Sequence, residues 1–105
     1  MLKVNMEYRK GILFVRLKGD ITKYTYQDLL EYLEPIIKNK GIKYLVLNLD
    51  SIDIIDSYGK QALKIIISET KANKGKGLIC NTKEVFDESI KVVKDELMAF
   101  KLLKV

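Results

Sequence analysis

Residues 44–59, YLVLNLDSIDIIDSYG, combine a nearly continuous apolar run with a polar end. The apolar part, over 43–50, is typical of a central strand that is covered on both faces of a sheet. The segment KQALKIII that follows has helical spacing and predicts a helix from about Ser57 to Asn73. The strand therefore passes directly into a helix. In parallel α/β sheets, ligand and partner contacts gather at such carboxyl ends of strands.

The chain before this junction predicts a hairpin and one helix. Alternating apolar residues over 2–8 and an apolar run over 12–19, separated by a turn, predict two neighbouring strands. Thr25 is predicted to open a helix, with Asp28 completing a capping box. Pro35 lies inside the helical pattern and is expected to kink or split the helix, because its ring clashes with the carbonyl group four residues back.

The chain after the junction predicts a short strand over 78–81, a third helix and a last strand. Thr82 is expected to cap a helix over 83–98, and FKLLKV at 100–105 is expected to be a strand. The predicted apolar stripe of that third helix is Val85, Phe86, Ile90, Val93 and Leu97. The predicted order is β-β-α-β-α-β-α-β. It describes one α/β domain over 1–105, with a mixed, mostly parallel sheet, an N-terminal hairpin and three main helices.

Composition and segment patterns argue against several functional classes. The net charge is +5, but 17 of the 19 basic residues are lysines spread along the chain, so a solvated surface is a simpler interpretation than a nucleic-acid interface. Neither a membrane-spanning apolar run nor the order of a signal peptide is present. The single cysteine, Cys80, lies in an apolar stretch and is predicted to be buried, and a chain with one cysteine fits the cytoplasm.

Catalytic and metal-binding patterns are mostly missing from the sequence. The chain has no histidine, no zinc-type cysteine pattern and no Walker-type glycine loop. Asp50, Asp53 and Asp56 are spaced by three, and a small enzyme or a divalent-ion site using them is an alternative. Turn and cap roles explain these aspartates more simply. We therefore predict no enzyme, no cofactor and no metal.

The residues at the junction between strand and helix could have local roles at the start of the helix. Asp56 or Ser57 could cap the helix, and a helix N-terminus favours an anion such as a phosphate on Ser57. The predicted buried stripe of the helix is Ala62, Leu63, Ile66, Ile67 and Thr70. The predicted exposed stripe is Ser57, Lys60, Gln61 and Lys64. From local chemistry alone, a capping residue above a solvated helix is the simpler interpretation.

The chain resembles the STAS domains of bacterial anti-sigma factor antagonists over nearly its whole length. The resemblance rests on VRLKGDI (15–21), YLVLNLDSIDIIDSYG (44–59), GKGLIC (75–80) and the terminal FKLLKV. The family pattern at the junction is an apolar strand, an aspartate, a serine, a further serine or threonine, and a glycine. Here these positions are Asp56, Ser57, Tyr58 and Gly59.

The resemblance implies a regulatory protein that binds an anti-sigma factor which is also a serine kinase. It implies that Ser57 is the phosphoacceptor, with Asp56 as its acidic neighbour, and that phosphorylation switches binding off. The predicted partner surface is Asp56, Ser57, Tyr58, Gly59, Lys60, Gln61 and Lys64.

Tyr58 and the Lys60–Gln61 pair differ from the small residues that are common in the family. The third helix is expected to be a turn longer than usual, and no helix is expected after the last strand. A STAS module that is not phosphorylated and serves a larger assembly as a structural or ligand-sensing part is the alternative.

Overall fold

A computed structural model describes residues 2–103. The elements are β1 (Lys3–Arg9), β2 (Ile12–Ile21), α1 (Tyr26–Asn39), β3 (Tyr44–Ile55), α2 (Ser57–Ala72), β4 (Lys76–Cys80), β5 (Lys91–Val93) and α3 (Glu96–Leu103). They form one five-stranded sheet in the order β1-β2-β3-β4-β5. β1 is antiparallel to β2, and the other neighbours are parallel. The predicted α/β class, N-terminal hairpin, mostly parallel sheet and three helices are confirmed.

The central strands of the sheet are buried on both faces. On β3, Leu45, Leu47 and Leu49 belong to a core that includes the buried residues of α1 and α2. Val46 points to the opposite face and belongs to a second core, which includes Ala99 of α3. The sequence prediction of a central strand covered on both faces is confirmed, and the alternation of side chains explains why the apolar run of β3 is nearly continuous.

The start of α1 differs from the predicted capping box. Thr25 occupies the N-cap position but makes no side-chain cap. Its hydroxyl instead accepts a hydrogen bond from the backbone N–H of Thr22 at 3.0 Å and donates to the carbonyl of Asp20 at 2.8 Å. Side chains of this type often bond local backbone groups outside the helix.

The predicted split of the helix at Pro35 is wrong, because α1 continues through it to Asn39. The predicted kink at Pro35 stays a prediction. Leu33 and Ile37, on either side of Pro35, are fully buried. Tertiary packing of an amphipathic face contributes more to helix stability than the local propensity of single residues. We attribute the continuity of α1 to this packing.

The predicted third helix over 83–98 is also wrong. Most of that range is irregular and contains the short strand β5. The side chain of Thr82 accepts from the N–H of Glu84 at 3.1 Å, and that of Asp87 accepts from the N–H of Ser89 at 2.8 Å. Such local hydrogen bonds compete with helix formation. The supposed apolar stripe does not form one face, since Val85 is 81% exposed while Ile90 is buried.

The predicted last strand is a helix. α3 begins at Glu96, and the side chain of Asp95 accepts from the N–H of Met98 at 2.9 Å, as a capping residue does. Residues 104–105 of the predicted strand lie outside the described residues. Within residues 2–103 the last three elements are thus β4, β5 and α3 instead of strand, helix and strand. The expectations of a lengthened third helix and of a missing final helix are wrong as well, because α3 is a short final helix of eight residues.

A charged network attaches α3 to the sheet. The guanidinium group of Arg16 in β2 donates two hydrogen bonds of 2.8 Å to the carboxylate of Glu96. Asn48 of β3 donates to the same carboxylate at 2.7 Å, and Glu7 of β1 pairs with Arg16 at 3.0 Å. The hydrogen bonds from Arg16 lower the pKa of Glu96; burial opposes this, and the bond from Asn48 lowers the pKa further. The sequence alone gave no sign of this network, because Glu96 was expected inside a different helix.

Glu96→Gln should destabilise the protein by about 1 kcal/mol at neutral pH, because Arg16 is partly exposed and solvent screens the pair. A carboxylate whose folded pKa is lowered contributes stability above its unfolded pKa of about 4.3, and that contribution is lost as the pH falls through the folded value. The variant should therefore lose less stability than the wild type on acidification below pH of about 4.5. Urea unfolding across this range, with the exposed Glu88→Gln as control, measures both effects. Parallel acid dependences of Glu96→Gln and wild type would contradict the assignment.

Candidate functional site

Asp56 fixes the junction between β3 and α2. One carboxylate oxygen accepts from the backbone N–H of Gly59 at 2.9 Å and caps the helix. The other accepts from the N–H of Lys23 in the loop between β2 and α1, also at 2.9 Å. The N–H of Asp56 itself donates to the carbonyl of Ile21 at 3.2 Å. Of the two capping residues that the sequence allowed, the structure uses Asp56.

The environment of Asp56 keeps it ionised. Burial alone would raise the pKa of this carboxyl group, but the backbone N–H groups of Gly59, Lys23 and Tyr58 lower it more, and the net pKa lies below its usual value. An aspartate held as an anion by backbone donors is suited to holding a helix start in place. It is poorly suited to accepting a proton as a general base.

Ser57 is the first residue of α2 and is exposed. The predicted buried stripe of this helix is confirmed, since Ala62, Leu63, Ile66, Ile67 and Thr70 are all buried. On the predicted outer stripe, Gln61 is exposed, whereas Lys60 and Lys64 are half-buried. The hydroxyl of Ser57 therefore lies at an accessible helix N-terminus, next to a side chain that carries a negative charge.

Lys60 and Lys64 are engaged by the segment between β4 and β5. The ammonium group of Lys60 pairs with Glu84 at 3.2 Å and lies 5.6 Å from the ring centre of Phe86. Lys64 pairs with Asp87 at 3.0 Å. These contacts were not predicted from the sequence, because residues 83–98 were expected to form a helix. The two lysines are thus part of a surface formed by α2 together with residues 84–87.

Tyr58 belongs to an aromatic group that the sequence did not reveal. Its ring centre lies 5.4 Å from that of Tyr26 at the start of α1, and its side chain is half exposed. Tyr24, in the preceding loop, is 81% exposed. Tyr58, which follows Ser57, and Tyr26 thus form an aromatic pair of the type that is enriched in protein interfaces. The signal that could have found them is the YTY sequence at 24–26, which leads from the loop after β2 into the first residue of α1.

Gly59 is required by close packing. It is buried, and a Cβ atom placed on it would lie 2.1 Å from the carbonyl oxygen of Ile21 and 2.8 Å from a side-chain carbon of Ile55. The backbone of α2 therefore approaches β2 at a distance that only glycine allows. The glycine position of the DSYG segment has a structural cause of its own, separate from any partner.

The family model described as "STAS domain" matches residues 3–95. The chain belongs to the STAS domain family. A relative from Paenibacillus polymyxa, named anti-sigma F factor antagonist, is 29% identical over 76 residues. The match covers 72% of this chain and 62% of that relative, so this STAS domain spans less than two thirds of the relative's length.

Solved structures share the fold of this STAS domain at low sequence identity. An anti-sigma factor antagonist from Mycobacterium paratuberculosis has a TM-score of 0.85 and 14% identity, and the match covers 100% of this chain and 96% of that one. The anti-sigma factor antagonist SpoIIAA in its unphosphorylated form has a TM-score of 0.79 and 14% identity over 100% of both chains. The phosphorylated form of SpoIIAA, from Bacillus, has a TM-score of 0.69 and 12% identity, with 95% and 99% covered.

Other candidate sites in the STAS domain give weaker support for a metal-binding or catalytic role. Within residues 2–103, no group of three or more histidine, cysteine, aspartate or glutamate side chains could hold a metal ion, and Asp56 serves as the helix cap. Cys80 is buried as predicted, and burial raises the pKa of its thiol to about 12, with a further contribution from Glu96. Among the described residues, no helix has the length and apolar character needed to cross a membrane.

Asp56→Ala should lower the melting temperature of the STAS domain by roughly 5 °C, because α2 loses its cap and the N–H groups of Gly59 and Lys23 lose their acceptor. Asp56→Asn keeps an acceptor oxygen and should recover part of the loss. Because the pKa of Asp56 is lowered, its contribution is present above an unfolded pKa of about 3.9 and is lost on acidification. Thermal unfolding at several pH values measures this, and equal melting temperatures for Asp56→Ala and wild type would exclude the capping role.

Proposed function

We propose that this protein is an anti-sigma factor antagonist that binds an anti-sigma factor with serine kinase activity and is released from it by phosphorylation of Ser57. The observation that carries the proposal is an exposed serine at the first position of α2, directly after a capping aspartate, in a chain of the STAS family. The proposed partner-binding residues are Asp56, Ser57, Tyr58, Gly59, Lys60, Gln61 and Lys64.

The relatives support the proposal through their names. The Paenibacillus relative is named as an antagonist of an anti-sigma factor, and SpoIIAA has been solved in unphosphorylated and phosphorylated forms. A protein that antagonises an anti-sigma factor acts by binding, and a phosphorylated form requires a kinase. Both properties are transferred to this chain as part of the proposal.

The local chemistry suits a phosphate on Ser57. The free amides and dipole of the first turn of α2 favour an anion at this position, and Lys60 lies three residues along the helix. Asp56 opposes the added charge. The two effects partly cancel, and we therefore expect the phosphorylated chain to stay folded while the surface seen by a partner changes strongly.

The residues at this site also favour binding over catalysis. Asp56 is held as an anion by backbone donors and the chain contains no histidine, so no side chain at the junction is an obvious base for activating Ser57 as a nucleophile. The phosphoryl group would come from ATP bound to the partner. We propose the cytoplasm as the location, since sigma factors and ATP are found there, and a protein as the partner rather than nucleic acid or a membrane.

One observation favours the alternative of a STAS module that is not phosphorylated. Lys60 and Lys64, which were expected to be free for a partner, pair with Glu84 and Asp87 of the same chain. A module of this kind would use the α2 surface as a fixed structural contact in a larger assembly. Phosphoryl transfer to Ser57 distinguishes the two proposals.

The test is incubation of the purified protein with ATP and an anti-sigma factor of the serine kinase type from the same organism. Intact-mass analysis should show one added phosphate on the wild type and none on Ser57→Ala. Ser89→Ala is the matched control, since Ser89 is also exposed, and it should still be modified. A phosphate on Tyr58, or no modification by a kinase that binds the protein, would overturn the proposal.

A further inference from the structure

The strand β1 is a long exposed edge of the sheet. Among residues 2–103 it pairs only with β2, in a continuous register from Arg9–Ile12 to Lys3–Lys18. Its seven residues contain no proline and no bulge, whereas the opposite edge strand, β5, has three residues. Sheets usually protect long regular edges, because the unpaired backbone groups form a template for another strand.

The turn of the hairpin determines which backbone groups of β1 are free. Lys10 and Gly11 both have positive φ angles, 54° and 82°, as in a two-residue type I′ turn. Such a turn closes on a hydrogen-bonded pair, here Arg9–Ile12, and hydrogen-bonded pairs then alternate along the hairpin. The odd-numbered residues therefore bond to β2, and the backbone N–H and C=O groups of Val4, Met6 and Tyr8 point outward.

The side chains of those same residues leave an apolar cleft beside the edge. Leu2, Val4 and Met6 are partly buried against the core below α1, while Tyr8 is 63% exposed. The clefts between β1 and α1 are lined by Leu2, Val4, Met6, Tyr8, Leu29, Tyr32 and Ile36, among other residues. A strand that bonds to this edge would extend the apolar face with its own alternate residues.

The charged side chains on the other face of β1 favour one register for an added strand over others. The odd-numbered residues that face that side are Lys3, Asn5, Glu7 and Arg9. In an antiparallel pairing of two β1 strands centred on Asn5, each Lys3 lies opposite the second copy's Glu7, and each Val4 lies opposite the second copy's Met6. Centring on Met6 would instead oppose Lys3 to Arg9, and centring on Glu7 would oppose two carboxylates. Opposite charges directly across a strand pair are favourable and like charges are unfavourable.

We propose that two copies of this protein associate through β1 as a two-fold antiparallel pair centred on Asn5. In this register the outward backbone groups of Val4 and Met6 form the hydrogen-bonded pairs, so the backbone pattern and the charge pattern agree. The same surface patch serves both copies, as a closed two-fold dimer requires. The interface contains none of the proposed partner-binding residues, and its test is independent of the phosphorylation of Ser57.

A charge exchange tests the proposed register. Lys3→Glu places two pairs of carboxylates across the dyad, and Glu7→Lys places two pairs of ammonium groups there. Each variant alone should weaken self-association at least tenfold in sedimentation velocity, relative to a dimeric wild type. An equimolar mixture should form heterodimers, because every Lys–Glu pair is restored between the two variants. Lys71→Glu and Glu88→Lys are exposed charge-matched controls that should remain dimeric.

Disulfide formation gives a second readout that does not depend on the ion pairs of Glu7. Asn5 would face the second copy's Asn5 in a non-hydrogen-bonded pair, whose Cβ atoms are close enough for a disulfide. Asn5→Cys should therefore cross-link rapidly under mild oxidation, whereas Lys3→Cys should not. The buried thiol of Cys80 should not compete. A wild type that stays monomeric throughout a dilution series, or equal cross-linking of the two cysteine variants, would overturn the proposal.

Discussion

Phosphorylation of Ser57 is expected to weaken binding of the anti-sigma factor more than a hundredfold while leaving the fold intact. A partner that closes over the N-terminus of α2 would have to desolvate an added charge of roughly −1.5 to −2. An unpaired buried charge typically costs several kcal/mol, and about 3 kcal/mol corresponds to more than a hundredfold in affinity. Within the chain the helix dipole and Asp56 act in opposite directions, so stability should change by no more than about 1 kcal/mol.

Ser57→Asp should reproduce part of this loss in calorimetric titration against the anti-sigma factor, since it adds one charge where phosphate adds nearly two. Ser57→Ala should bind like the unphosphorylated wild type and remain bound in the presence of ATP. Ser68→Asp, at an exposed position later in the same helix, is the matched control and should bind normally. Equal affinities for Ser57→Asp and wild type would place the partner surface elsewhere.

Gly59→Ala is expected to destabilise the protein by about 3 kcal/mol, a large effect for one methyl group. The added Cβ would lie 2.1 Å from the backbone oxygen of Ile21, and a backbone atom has no rotamer through which to move away. Relief requires α2 to shift relative to β2, which would also disturb the contact between Asp56 and Lys23. Urea unfolding of the variant and the wild type measures the difference in the free energy of unfolding.

Gly41→Ala provides the comparison. Gly41 has a φ of +59°, and a Cβ placed on it would contact nothing within 4 Å, so its cost is conformational only and should be about 1 kcal/mol. A loss at Gly59 that is no larger than the loss at Gly41 would show that the start of α2 can shift without cost. In that case the glycine of the DSYG segment would serve a partner instead of the fold.

The first two thirds of the fold could be predicted because local and tertiary preferences agree there. The alternating residues of β1, the apolar run of β3 and the helical stripe of α2 each have a period that matches one structure, and the structure has all three. The predicted split at Pro35 was wrong, because the buried neighbours Leu33 and Ile37 stabilise the helix beyond what local propensity indicates. Local patterns are reliable only where packing does not oppose them.

Only part of the candidate site could be predicted from the sequence, for a similar reason. The position of Ser57 at the start of a helix followed from its neighbours in sequence, and the buried and exposed faces of α2 followed from spacing. The contacts that define its surroundings come from distant segments: Lys23 on Asp56, Tyr26 beside Tyr58, and Glu84 on Lys60. No periodicity within α2 carries information about them.

The sequence by itself determined the α/β class, the hairpin, the strand-to-helix junction and the exposed serine, because each depends on periodicity or on residues adjacent in the chain. Only the tertiary structure decided the C-terminal third. There the segment over 83–93 becomes a loop and a strand that pairs with β4, and residues 96–103 become the helix α3. Their apolar residues suit either a helix or a strand, and the choice is made by the open edge of β4 and by the uncovered second face of the sheet, where Glu96 meets Arg16 and Asn48.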